Sequence, residues 1–377
     1  MAPSLSSTRA PPRARVPLQV RAAAAVAAKS SRTAAVPLPS QRVLDSCRTV
    51  AEHADQVRVG DAAAIDHAAH TILDGLVAGR YSTASWRAHP LHPQVADRHA
   101  AEFIFLLDLM NFSFWSDSDT LFTVTYRGIA YTGYWSLVAA INRARDEGIA
   151  ITSAYRMATM LRETLQHVFR SDSETPISLF EERFEAIRQA GQVLLRRFGG
   201  SIVNLIKEAR GSCQALIELV LQHFPTFDDR STYKGKTVYL YKRVQILVAD
   251  LWACFEGRGL GAFHDIDLVT MFADYRVPQG LVHLGLLDYS PALLAELHVG
   301  DLIPPGSATE VEIRTTSIWA VELVARRIKE LLRKRTDLME TPMVNAILID
   351  FYVWDYAKAH QDELAKIPIH RTRTIFY

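Results

Sequence analysis

The chain has 377 residues, 49% hydrophobic and 22% charged, with a formal net charge of +1. That length supplies a sizeable core, and the near-zero charge excludes a global field for gripping a polyanionic backbone. The three cysteines, Cys47, Cys213 and Cys254, are scattered without metal-ligand spacing and read as reduced thiols, and no apolar run reaches the roughly 20 residues of a membrane span.

The first 42 residues form a basic, low-complexity extension rich in Ala, Arg, Ser and Pro, and the first acid is Asp45. This composition suits either an organellar transit peptide or a disordered tail, and one domain is expected over residues 43–377. In "WRAHPLHP", His89 and His92 stand three apart, but Pro90 and Pro93 deny a regular helix and no cysteine completes a zinc set. A histidine that hydrogen-bonds a ligand or the backbone is expected there, and no metal or other cofactor. "NFSFW" (111–115) packs three aromatics into five positions, either as core or as a stacking wall for a planar base.

Next, Phe122, Val124 and Tyr126 alternate with threonines and predict a strand, returning through Arg127-Gly128 to Ile129-Ala130-Tyr131. "SLFEERFEAIRQAGQVLLRRFGG" predicts a helix with Ser178 as cap, Glu181 three residues on, and Gly199-Gly200 as stop. Another helix is expected over "SCQALIELVLQHF", and a second short strand at "KTVYLY". "AFHDIDLVTMFADYRVPQG" (262–280) threads Asp265, Asp267 and Asp274 through large apolar residues, where an unpaired carboxylate is costly. The preceding "GRGLG" lacks the Lys-Ser/Thr ending of a phosphate loop. Asp274-Tyr275-Arg276 reads as a structural ion pair. "ATEVEIRTTSIWAVELVARRIKELLRKR" predicts a long helix, and Thr341-Pro342 starts the last one. In that last helix Asp350 and Asp355 sit among aromatics, five residues and so about 140° apart. The fold class is therefore mainly α, a single helical domain with a small β-hairpin element.

These blocks together resemble the queuosine salvage proteins, the queuosine 5'-phosphate N-glycosylases/hydrolases. The matching runs are "NFSFW", "YRGIAYTGYWSLVAAINRARDEGI" (126–149), "SDSETPISLFEER" (171–183), "YKRVQILVADLW" (241–252), "TMFADYRVPQ" (270–279), "EVEIR" (310–314), "IDFYVWDYA" (349–357) and the "IPIHRTRTIFY" tail. The resemblance covers essentially everything after the extension, which itself lies outside the family pattern. It implies a helical fold similar to helix-hairpin-helix DNA glycosylases and hydrolysis of the N-glycosidic bond of queuosine 5'-monophosphate, releasing queuine for tRNA.

The same resemblance makes Asp265, in "FHDI", the essential acid. It sets His89, Phe263 and Ile266 around the base, with Asp350, Phe351 and Asp355 as the acidic side. The family often has Lys at the position of His264 and Ser at that of Asp267, and Asp267 receives no role. Phe112 or Trp115 is a further candidate for stacking. Lys242, Arg243, Arg276 and Arg314 are candidates for the 5'-phosphate.

The chemistry is coherent. Cleaving a ribosyl C–N bond develops oxocarbenium character that a carboxylate stabilises. Queuine is a 7-deazapurine, so protonation at N7 is unavailable and the burden shifts to the sugar side. Asp265 can act as nucleophile, as orienter of water or electrostatically. No stable nucleic-acid partner, membrane association or cofactor is expected, and the expected location is cytoplasmic, with organellar targeting if the extension is a transit peptide. The competing readings are a non-catalytic queuine or nucleotide binder and a glycosylase acting on another nucleic-acid base.

Overall fold

The computed structural model describes residues 36–118, 120–335 and 343–377, apart from the side chain of Lys358. The N-terminal extension is thus almost entirely outside the described residues. The first helix among the described residues, Pro39–Ala51, starts ahead of Val43, the expected beginning of the domain, and uses Pro39 in its first turn.

The described residues are mainly helical, and two helices organise the rest. Lys242–Cys254 is buried at every position except Ile246, which explains a sequence with no polar face. It packs against Arg98–Leu109, Thr83–Arg87 and Cys213–His223. The long Ala308–Lys334 helix, capped by Ser307, runs against Pro39–Ala51, Ala62–Val77 and Ala346–Ala359. No helix among the described residues is long and apolar enough to cross a membrane.

Among the described residues, three antiparallel two-stranded ribbons complete the fold. The expected hairpin pairs Thr123–Tyr126 with Ile129–Thr132 in the register Val124↔Tyr131. Its turn uses positive φ at Arg127 and Gly128, the conformation that matches strand twist. "KTVYLY" supplies Lys236–Tyr239, paired with Arg230–Tyr233. The third ribbon, Val57–Val59 with Leu287–Tyr289, joins two three-residue strands far apart in sequence and too short to show a period.

Two local expectations need correction. Ser178 does not cap the Phe180–Arg197 helix; Leu179 precedes it in the left-handed region without a side-chain cap. The Ser178 hydroxyl instead accepts from Arg373 at 2.7 Å. Thr341-Pro342 lies outside the described residues, and the last long helix starts at Ala346, where the Asn345 side chain accepts from the Leu348 N–H at 3.0 Å. The "GRGLG" run is a packing feature: a Cβ at Gly261 would stand 2.5 Å from the Leu251 carbonyl oxygen. Only glycine lets this turn lie flat on the Lys242–Cys254 helix.

Candidate active site

Asp265 sits where a tight turn meets the start of a helix. The Ile202–Glu208 helix ends, the chain reverses through Arg210 and Gly211 at positive φ, and Cys213–His223 begins with Ser212 as its cap. The Asp265 carboxylate faces this helix start. Its Oδ2 accepts from the Ser212 hydroxyl at 2.6 Å and the Gln214 N–H at 3.3 Å, and its Oδ1 accepts from the Cys213 N–H at 2.6 Å. Burial raises its pKa, but the Ser212 hydroxyl and the 213–214 donors outweigh that, and the net shift is downward. A helix N-terminus favours an anion in the same sense. Asp265 is therefore an ionised carboxylate, unsuited to donating a proton at neutral pH. Phe263 and Ile266 are buried on either side. Asp267 is exposed.

A second set of residues comes from the Ala346–Ala359 helix and the His89 loop. Asp350 is buried and accepts from the Phe272 N–H at 3.2 Å. Burial, reinforced by Asp274, pushes its carboxyl well above the usual range, against the opposing effects of that N–H and Lys242. Phe351 is half-buried beside it. Asp355 is exposed and adds its charge to the burial that raises the Tyr81 phenol. The five-residue spacing thus separates a buried acid from an exposed one. His89 is half-buried and stacks on Trp135, with ring centroids 3.4 Å apart.

The aromatic wall expected from "NFSFW" is not available to a base. Phe112 is 1% exposed and lies between the guanidinium groups of Arg183 and Arg243, at 4.1 and 5.0 Å from its ring centroid. Trp115 is covered by Arg373 at 3.9 Å and clusters with Tyr275 and Tyr377. Ser113 ties the same segment to the C-terminal tail, donating from its N–H to the Tyr377 carbonyl and from its hydroxyl to the Thr374 carbonyl.

Two of the phosphate candidates are also committed elsewhere. Arg243 donates to the carbonyls of Asp108, Leu109 and Thr226. Arg314 is buried between Asp229 and Glu310 and donates to the Ala273 carbonyl. Lys242 is buried, with its Nζ 3.4 Å from the Asn111 carbonyl, and its charge neighbours are the carboxylates of Asp274 and Asp108 and the guanidinium groups of Arg243 and Arg314. Arg276 is exposed. Asp274 forms no salt bridge with it; the Asp274 carboxylate accepts from the Arg276 and Val277 backbone N–H groups, each at 2.8 Å, and so caps the Val277–His283 helix.

The queuosine salvage protein family model matches residues 91–377. The mouse queuosine 5'-phosphate N-glycosylase/hydrolase is 44% identical over 88% of this chain and 98% of its own length. Proteins of the same name from Schizosaccharomyces pombe and Sphaerobacter thermophilus are 42% and 38% identical, each over 89% of this chain and 99% and 97% of their own lengths. The chain belongs to the queuosine salvage protein family.

Within this family member the structure adds residues that the sequence reading passed over. Asp250 is buried in the Lys242–Cys254 helix and accepts from the Trp86 indole N–H at 3.0 Å. Asp108 is fully buried, bonded by Asn111 at 3.3 Å, with its Oδ2 unpartnered. Burial pushes both carboxyls up, and Asp250 adds to the rise at Asp108. The signal was present: "VADLW" places an acid among apolar residues just as "ILIDFY" does.

A pH dependence follows for this member of the family. The folded-state pKa of Asp250 is raised, so folding takes up a proton above the ordinary carboxylate value. Its contribution is full below about 3.9 and declines as pH rises towards the folded pKa, by up to about 1.4 kcal/mol per pH unit. Urea unfolding between pH 4.5 and 6 should show this decline in wild type and a flatter profile in Asp250→Asn. Parallel profiles would mean that Asp250 is not held protonated.

Proposed function

We infer that this chain hydrolyses the N-glycosidic bond of queuosine 5'-monophosphate and releases queuine. The reading is carried by family membership over nearly the whole chain, joined to one local observation: the Asp265 carboxylate, held by the donors of Ser212, Cys213 and Gln214, at an apolar turn between Phe263 and Ile266. An ionised carboxylate stabilises a developing oxocarbenium ion, electrostatically or by attack at the anomeric carbon. Its depressed pKa argues against service as general acid.

The burial of the other acids divides their roles. Asp350, buried with its pKa raised, suits the guanine-like edge of the base: the paired N–H donors stabilise its ionised form, so that its proton passes to solvent and both carboxylate oxygens accept from the base. Asp355, exposed beside Tyr81, suits the cationic side-chain amine of queuine. His89 and Phe351 flank the ring. Among the four cations considered, Arg276 is the one whose exposure fits a 5'-phosphate. The reversal through Arg210-Gly211 between two helices supports the closer kinship to helix-hairpin-helix DNA glycosylases. Cytoplasmic action, with organellar targeting by residues 1–42 and no stable nucleic-acid partner, completes the reading.

The test is incubation of the purified chain with queuosine 5'-monophosphate and with queuosine, following free queuine by mass spectrometry. Release from the monophosphate is expected. Arg276→Ala should raise KM for the monophosphate about tenfold, the scale of one charge-assisted contact, and leave that for the nucleoside unchanged. Equal effects on both substrates would remove Arg276 from the phosphate site. No release by folded wild type would overturn the enzyme reading in favour of a binder or of a different nucleobase.

A further inference from the structure

The segment from Trp86 to Gln94 carries His89, yet most of its side-chain bonds lead away from that residue. The Trp86 indole N–H donates to the Asp250 carboxylate at 3.0 Å, and both residues are buried. The Trp86 ring lies flat on His92, with centroids 3.8 Å apart. The His92 Nδ1 is 2.7 Å from the Trp86 carbonyl oxygen, which can only accept, so Nδ1 carries the proton. Burial pushes the His92 pKa down to about 4 and keeps the ring neutral, so its Nε2 accepts from the Tyr134 hydroxyl at 2.9 Å.

Tyr134 opens the Tyr134–Asp146 helix, which Gly133 starts from a positive φ. The next residue is Trp135, the surface on which His89 stacks. His92 also meets Trp135 at 5.0 Å and His89 edge-on at 5.9 Å. Gln94 gathers the loop by donating to the carbonyls of Arg87, His89 and His92. One continuous path therefore runs from Asp250 through Trp86 and His92 to the Trp135–His89 stack.

We propose that Asp250 is a positioning residue for His89, acting through Trp86 and His92 to fix the imidazole against Trp135 at the base pocket. This rests on the reading that His89 meets the base. A buried carboxylate oxygen in a helix buried at all but one position is a rigid reference point. It serves a loop with two prolines and no regular structure at His89 better than a surface partner would. What Asp250 supplies is an acceptor, and asparagine supplies the same one.

The test measures kcat and KM for queuosine 5'-monophosphate in Asp250→Ala, Asp250→Asn and Trp86→Phe, each also combined with His89→Ala. Asp250→Ala and Trp86→Phe should raise KM about tenfold with kcat within about threefold, as expected when binding geometry loosens and the chemical step does not. Asp250→Asn should return KM to near the wild-type value. In the His89→Ala background the same changes should add nothing, because the path then ends on a missing ring. Unchanged KM in both Asp250→Ala and Trp86→Phe, or KM increases that multiply with that of His89→Ala, would overturn the proposal. If His89→Ala alone leaves KM unchanged, the placing of His89 at the base fails first, and this inference fails with it. Trp86→Phe keeps a ring at the stack and serves as the deciding variant if Asp250→Ala does not fold.

Discussion

Asp265→Asn is expected to slow release of queuine by about 10²-fold or more while leaving the protein folded and able to bind the product. The expectation follows from the company this carboxylate keeps. It stays ionised because Ser212, Cys213 and Gln214 direct donors at it from a helix start. Asparagine retains one acceptor oxygen but turns an amide towards at least one of those donors, and it brings no charge to a developing oxocarbenium ion. Loss of the helix-end anion should cost about 1 kcal/mol of stability, too little to unfold the chain. The assay is turnover at saturating substrate, with queuine affinity and a urea midpoint measured on the same preparation. Turnover within threefold of wild type would make Asp265 a structural cap. Loss of affinity in proportion to turnover would make it a binding group. The wild-type acid limb gives a second check. The depressed folded pKa means that the stability contributed by Asp265 is present above its unfolded value and lost as pH falls through the folded one.

Arg314→Met should lower stability by about 3–5 kcal/mol, the cost of leaving buried carboxylates without their cation. Arg314 and Asp229 are each 2% exposed. The guanidinium meets Asp229 twice, at 3.1 and 2.6 Å, and Glu310 at 3.2 Å, and lies 4.0 Å from the centre of the Tyr377 ring. Burial alone would lower its pKa, and the two carboxylates reverse this. Asp229 also accepts from the Lys242 N–H, so the first turn of the central helix shares the anion. Arg314→Lys keeps the charge but not the fork, and an intermediate loss is expected. Urea unfolding monitored by tryptophan fluorescence measures all three proteins. A Met variant within about 1 kcal/mol of wild type would show that the cluster carries no such burden.

Much of the helical framework was legible because apolar spacing, caps and glycine stops are local. The Ala308–Lys334 and Cys213–His223 helices and the Thr123–Thr132 hairpin are of this kind. What escaped depended on partners distant in sequence. Ser178 looks like a cap but serves Arg373, and Val57–Val59 finds a strand only at Leu287–Tyr289. The roles of individual residues were harder to read than the elements. Phe112 and Trp115 present the composition of a stacking wall, yet arginines from other segments cover both rings. Arg243 and Arg314 look free in sequence because their carbonyl and carboxylate partners are remote. Asp250 had the same signature as Asp350, an acid within an apolar helix, but its partner Trp86 lies 164 positions away.

The reciprocal hold between Asp265 and the start of the Cys213–His223 helix has a consequence for motion. That helix borrows an anion from the 264–268 turn, and the turn in return is fixed by backbone donors of the helix and by the Gly211 carbonyl, which accepts from the His264 N–H. Gln214 extends the coupling to Ser40 on the first helix. Fraying at this point therefore moves the proposed catalytic carboxylate and frees the helix end in one cooperative event. The bonds that set the position of the acid are thus the same bonds that hold the helix start.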